Sequence, residues 1–341
     1  MQRYLFKRLL LILPTLLGIS LICFTIIQFI PGGPVEEAVF KIRSATAMQG
    51  VSSTEFLTER EIDRIREYYG FDKPAPVRFW IWLRSIVVLD FGRSFSYDEP
   101  VLSVILQKMP VSLFFGLSSF LLSYLICIPL GMWKALRNGS KGDAISSVFI
   151  FSGYVIPSYA LGVLLIIFFA GGRFLQWFPL TGIVSDYWED LGFFARIVDF
   201  LHHMTLPLIC YMAAELAFLT MLMKNSILEE IHKDYMKAAI ARGLSFKQAV
   251  RRHALRNALI PIATRMSEVF TLMFAGSIFI EKVFDIDGMG LLAYNSLVSR
   301  DYNVVMALIF ITSLFSLLGR VFADILYVWV DPRIQLGRHD R

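Results

Sequence analysis

Nowhere in the 341 residues does a glycine directly precede a lysine, so the chain has no Walker A phosphate loop of its own. No Gly-x-Ser-x-Gly and no His-Glu-x-x-His occurs either, which argues against an intramembrane protease. Histidine is scarce. The adjacent pair His202 and His203 lacks the nearby cysteine or third histidine that a metal site needs, and is read as sitting at headgroup level, close before Pro207. Of the three cysteines, Cys23, Cys127 and Cys210, each lies inside an apolar run; no metal-ligand spacing or disulfide framework exists, and apolar packing is their reading. No metal or cofactor is expected. Internal repeats are absent, and so are the inverted repeats and broken helices expected of a secondary transporter. Charge is the last scarcity. With 18% charged and 56% hydrophobic residues, the composition excludes a soluble domain.

What the chain does have is apolar runs of bilayer length. The first, Leu9 to Ile30, reaches roughly 33 Å as a helix, enough to cross a hydrocarbon core. A signal peptide competes for this stretch, because Arg3, Lys7 and Arg8 form a basic start. The run is too long for that role and ends in Pro31-Gly-Gly-Pro34 without a small-residue cleavage site. Further runs lie at Val111 to Trp133, Ala144 to Ala170, Leu206 to Met223, Pro261 to Ile280 and Val304 to Val321, making six expected spans. Lys and Arg gather on one side: Arg3, Lys7 and Arg8; Lys134, Arg137 and Lys141; the stretch Lys224 to Arg265; and Arg333, Arg338 and Arg341. Both termini are therefore expected in the cytoplasm. The net charge of +5 reflects this topology and does not point to nucleic acid.

Four regions follow: a basic start and first span at 1–30, an outer region at 31–110, a membrane core at 111–330 with a cytoplasmic loop at 224–260, and a tail at 331–341. In the outer region Glu59 to Tyr69 and Phe79 to Leu89 read as helices, and Trp80 and Trp82 suit a membrane interface. Asp90-Phe-Gly-Arg-Ser94 reads as a turn, and Ser44 to Ser53 as mobile.

The loop carries most information. Tyr235, Ala238 and Ala239 share one side of a helix at i, i+3, i+4 spacing; Gly243 stops that helix and Ser245 caps the next. A small-residue face ended by glycine lets a short helix press close against another protein. The spacing Ala-Ala-x-x-x-Gly followed by Ala-Leu-Ile-Pro261 resembles the coupling loop of bacterial ABC importer permeases. Lys237 stands where that family's motif has glutamate.

Resemblance then spreads along the chain. Arg3 to Pro34, Tyr69-Gly-Phe-Asp-Lys-Pro74, Asp90-Phe-Gly-Arg-Ser94 and Ile128-Pro-Leu-Gly131 resemble the dipeptide and oligopeptide importer permeases, in the first of their two types. So do His203-Met-Thr-Leu-Pro207, Ile280-Glu-Lys-Val-Phe284, Gly288-Met-Gly290, Arg300-Asp-Tyr302, Asp324-Ile-Leu-Tyr327 and Asp331-Pro-Arg333. The Pro-Gly-Gly-Pro and Ile-Asp-Gly variants lean towards the subgroup importing larger or modified peptides. The resemblance implies an all-α polytopic fold of the type I importer permease kind, with six transmembrane helices in the cytoplasmic membrane and no enzyme activity. It further implies a second permease subunit, two ATP-binding subunits that hold ATP and Mg, and an extracytoplasmic solute-binding protein. Tyr235, Ala238, Ala239, Arg242, Gly243 and Leu244 would couple to the ATPase, with Arg251 and Arg252 meeting either its acidic groups or anionic lipid. Relatives of the fold carry nickel chelates and some sugars.

Ionisable residues inside spans are functional candidates, because a charge in hydrocarbon is costly without a partner. Glu215 and Glu268 are the candidates for a translocation path. Arg265 and Glu268, three apart, could instead neutralise each other. Arg320 and Asp324, four apart near the inner interface, are explained by snorkelling and pairing.

Overall fold

The computed structural model describes residues 2–29, 39, 63–64, 67, 72–172 and 174–330, apart from the side chains at 2–3, 267–268, 270–272 and 326–330. Pro31-Gly-Gly-Pro34, Ser44 to Ser53, the expected Glu59 to Tyr69 helix (three positions excepted), Tyr69-Gly-Phe71 and Asp331-Pro-Arg333 lie outside the described residues. Among the described residues every regular element is helical, and one isolated bridge joins Arg93 to Pro100. In chain order the helices are α1 (Gln2–Phe29), α2 (Ala75–Val87), α3 (Val101–Leu136), α4 (Lys141–Val155), α5 (Ser158–Phe169), α6 (Phe193–Ile231) and α7 (Asp234–Ala241). There follow α8 (Phe246–Ala249), α9 (Leu255–Thr264), α10 (Glu268–Ala275), α11 (Ile278–Phe284), α12 (Met289–Val298) and α13 (Tyr302–Val330).

Four helices are long and apolar enough to cross a bilayer: Tyr4–Phe29, Val101–Leu136, Phe193–Ile231 and Tyr302–Ile325. They match the first, second, fourth and sixth expected spans. The third and fifth are broken, so helix breaks that the sequence pattern did not show are present after all. α4 and α5 bend by 107°. The cause is local: Pro157 disfavours the helical region for the residue before it, and Ile156 takes φ −75 and ψ 121. The expected fifth span is segmented into α9, a 3₁₀ turn at Arg265–Ser267, and α10. Gly276, at φ +63, then turns the backbone out of helix before α11. α6 has 39 residues, roughly 58 Å at the helical rise, about twice what a hydrocarbon core requires. The expected loop thus begins as helix through Ile231.

Two compact units divide the chain. The first comprises Met1–Leu10, Met109–Leu291 and Phe315–Arg341. In it α6 is the pillar against which α4, α5 and α9 pack. One of its cores gathers Cys127, Leu219, Met223, Ile227, Met236, Ala249, Val250 and Ile262; another gathers Phe115, Met204, Cys210, Ile280, Phe284 and Ile286. Cys127 and Cys210 are free thiols in these cores, as their sequence setting implied. Gly131 lets α3 approach α6 closely, because a Cβ there would lie 2.7 Å from the Met223 Cβ. In the helix after α6, full burial of Met236 contributes about 1.5–3 kcal/mol. Within the bilayer the gain is packing rather than dehydration. Asp324 pairs with Arg8 and not with Arg320, whose carbonyl accepts from the same guanidinium.

The second unit comprises Leu11–Lys108 and Leu292–Leu314. Aromatic rings tie it together: Phe24 lies 5.2 Å from Phe79, Phe79 6.0 Å from Trp82, and Trp82 6.4 Å from Phe310. The helix expected at Phe79 to Leu89 runs over Ala75–Val87, opened by Pro74 and Pro76. Val77, Trp80, Ile81, Val87 and Val88 are all exposed on and just after it.

Candidate functional site

The loop after α6 folds as helix, turn, helix. Gly243 at φ +95 closes α7 in a Schellman arrangement: its N–H donates to the Ile240 carbonyl at 2.9 Å and the Leu244 N–H to the Ala239 carbonyl at 3.3 Å. Leu244 and Ala239 then pack into the same core. A Cβ on Gly243 would meet nothing within 4 Å, so the requirement there is conformational and not steric. Ser245 caps α8 in a capping box with Gln248. The chain continues through a π turn at Val250–Ala254 into α9.

Which face α7 presents is the main correction to the sequence reading. Met236 and Ala239 are buried in the chain's own core, with Tyr235 and Leu244 half-buried beside them. The exposed side carries Lys237, Ala238, Ile240 and Ala241, next to Phe246. Ala238 and Ala239 therefore face different neighbours: successive helical residues lie about 100° apart, so adjacent alanines are not on one face. Lys237 pairs with Asp234 at 2.8 Å on the exposed side. Arg242, Arg251 and Arg252 are exposed.

Tyr235 anchors the helix. Its hydroxyl donates to Glu230 at the end of α6, which also accepts from Lys233 and, at 3.2 Å, from the Asn257 side chain of α9. Burial and the bond to Glu230 push the phenol up to about 12. The sequence pattern did not disclose Glu230 or Asn257 as part of this anchor.

A buried ionic brace joins α3, α4 and α6. Lys134 of α3, fully buried, reaches Asp143 of α4 at 3.0 Å; Lys224 of α6 reaches the other Asp143 oxygen at 2.7 Å. Lys134 also donates to the Asp143 carbonyl and to the Ser146 and Ser147 hydroxyls. In the sequence the two lysines mark only topology.

Two motifs of the resemblance turn out to be one object. Glu281, fully buried, accepts from Tyr211 at 3.0 Å, Ser112 at 3.2 Å, the Ser277 N–H at 3.0 Å and the Leu291 N–H at 2.7 Å. Gly276 and Gly288 enclose it: a Cβ on Gly276 would lie 2.4 Å from the carboxylate, and one on Gly288 2.7 Å. In the second unit Asp301, also fully buried, accepts from the Ser94 hydroxyl and, at 3.0 Å, from the Ser96 N–H. Asn303 donates to the Arg93 carbonyl at 2.8 Å, so Asp90-Phe-Gly-Arg-Ser94 and Arg300-Asp-Tyr302 meet there. The expected turn is present: Gly92 takes φ +80 and donates to the Asp90 carboxylate.

Glu215 is half-buried in α6. Glu268 opens α10, and its side chain lies outside the described residues. Arg265 stacks its guanidinium over Phe218 at 4.6 Å. No group of His, Cys, Asp and Glu suited to a metal occurs among the described residues. His203 instead bonds the Asp199 carbonyl at 2.9 Å, and His202 the Trp177 carbonyl.

The described residues combine long apolar helices with a short helix, α7, whose outer side is exposed. Comparison with known proteins agrees. Residues 127–336 match the family described as "Binding-protein-dependent transport system inner membrane component", and residues 1–116 match "Binding-prot-dependent transport system membrane comp, N-term". The chain is 39% identical to the peptidoglycan transport system permease protein YejB of Agrobacterium fabrum, with 100% of both chains covered. It is 40% identical to the inner membrane ABC transporter permease protein YejB of Escherichia coli O157:H7, over 98% of this chain and 99% of that one. The oligopeptide transport system permease protein AppB of Bacillus subtilis is 32% identical, over 98% and 100%. The chain belongs to the binding-protein-dependent transport system inner membrane components, the permease subunits of ABC importers, whose ATP hydrolysis resides in separate subunits.

Proposed function

We propose that this chain forms one half of a membrane pathway through which an ABC importer passes peptides handed over by an extracytoplasmic binding protein. The names of its relatives, which specify peptidoglycan and oligopeptide transport, support a peptide-containing cargo. Its partners are a second, related permease, two ATP-binding subunits and the binding protein. Both termini and the 224–260 loop face the cytoplasm; the 31–110 region faces outward and, with Lys282 to Asn303, receives the binding protein.

The observation that carries the coupling role is the exposed side of α7, with Ala238 and Ala241 beside Ile240 and Phe246, on a turn locked by Gly243. Small residues admit close backbone approach, and the two apolar side chains supply contact area. Ala239 holds α7 to its own subunit, and Tyr235 and Leu244 support it. Arg242 borders the docking side. Ala238→Trp should strip the ATP-binding subunits during purification while the permease stays in the membrane; Lys237→Ala should change little. Full ATPase retention by the Ala238 variant would remove this assignment. Glu215 and Glu268 remain path candidates. If Glu215 lines a wet path, Glu215→Gln reduces uptake of Lys-rich peptides more than neutral ones, and a uniform change would make its role structural.

A further inference from the structure

The second unit contains a cavity of about 270 Å³ that the transport reading leaves unused. It lies beside the last turns of α1, at Phe24, Ile27 and Gln28, the end away from the basic N-terminus. Its lining divides by polarity. Phe24, Ile27, Trp82, Phe91 and Met306 form an apolar wall, and Lys73 and Arg78 bring two cations against the single carboxylate of Asp90. That carboxylate already accepts the Gly92 N–H, and Arg78 is steadied by donating to Gln28. α2 crosses the site with Val77, Trp80, Ile81 and Val87 exposed, an apolar face on a helix that also carries Arg78 and Arg84. A helix of that composition lies in the plane where headgroups meet acyl chains.

We propose that this cavity holds the phosphate headgroup of an anionic phospholipid from the outer leaflet, between Lys73 and Arg78, with its acyl chains along the exposed apolar face of α2. Size favours a headgroup over a whole solute: the volume is below the roughly 300–1,000 Å³ of sites that enclose a drug-sized molecule. The mixed lining also matches a ligand that is charged at one end and apolar at the other. A free phosphate would gain nothing from the aromatic wall.

The test uses the full chain in its purified, delipidated complex. Brominated phosphatidylglycerol is titrated in and quenching of Trp82 is followed, with a Trp82→Phe complex as the blank; phosphatidylcholine and inorganic phosphate serve as competitors. Phosphatidylglycerol should quench saturably, and Arg78→Gln and Lys73→Gln should each weaken its binding about fivefold. Phosphatidylcholine and inorganic phosphate should compete poorly. Lys73 is exposed, so its variant keeps the test open if Arg78→Gln fails to fold. Unchanged affinity in Lys73→Gln, equal competition by phosphatidylcholine, or equal competition by inorganic phosphate would each overturn the proposal; the last would make the site one for soluble anions.

Discussion

Gly243 makes its demand through the backbone. Nothing stands within 4 Å of where a Cβ would be, yet φ is +95, a conformation that costs a branched residue about 1–3 kcal/mol. Gly243→Val should therefore leave membrane insertion intact and lower ATP-driven transport, while Gly243→Asn, which tolerates this region better, should retain more of it. Uptake measured at matched membrane abundance checks the order. Gly290 makes the opposite, steric demand: a Cβ there would lie 2.6 Å from the Ile278 nitrogen and 2.7 Å from the Ser277 carbonyl carbon. Backbone cannot swing aside, so Gly290→Ala should destabilise the chain by about 1–3 kcal/mol. Glu281→Gln should cost a similar amount, because an amide NH₂ would replace one oxygen where Ser277 and Leu291 both present N–H donors. Detergent-resistance midpoints of the two variants should both fall below the parent; an unchanged Gly290→Ala midpoint would mean that the approach of Gly290 to the Ser277–Ile278 backbone is loose.

At the scale of elements, the brace Lys134–Asp143–Lys224 joins α3, α4 and α6. Asp143→Asn would leave two buried ammonium groups without their shared anion, a loss of about 3–5 kcal/mol. Thermal unfolding in detergent should report it, and a drop no larger than that of an exposed control such as Lys237→Ala would contradict the brace. The helix–turn–helix of the loop was legible in the sequence because its determinants are local: a glycine at the stop, and a serine three residues before Gln248. Four spans were legible for the same reason, since hydropathy over a window needs no partner. The breaks in the third and fifth spans were not. Apolar residues continue straight across Ile156 and Pro157, and hydropathy does not register a backbone angle. Glu281 and Asp301 were visible only as motif letters, because their partners are distant: Ser112 lies 169 residues from Glu281, and Ser94 207 from Asp301. The exposed face of α7 was misassigned because periodicity groups residues by side without saying which side the chain itself covers.

For the whole molecule, orientation and energy source are the properties to test. The Lys and Arg distribution predicts that single cysteines placed at Ser53 and Ser245 label from opposite sides of sealed vesicles, and labelling from one side would refute the topology. Glu281 and the brace hold the first unit in shape and Asp301 the second, while α7 keeps one side exposed. That is what a subunit needs if force comes from outside it. In this family ATP hydrolysis resides in separate subunits, so transport should stop when the partner's hydrolysis stops. The direct measurement is uptake of a labelled peptide into vesicles reconstituted with this chain, its paired permease, the ATP-binding subunits and the binding protein, with ATP supplied or withheld and with an ion gradient imposed or absent. The account predicts uptake that requires ATP and the binding protein and is indifferent to the gradient. Gradient-driven uptake without ATP would contradict it.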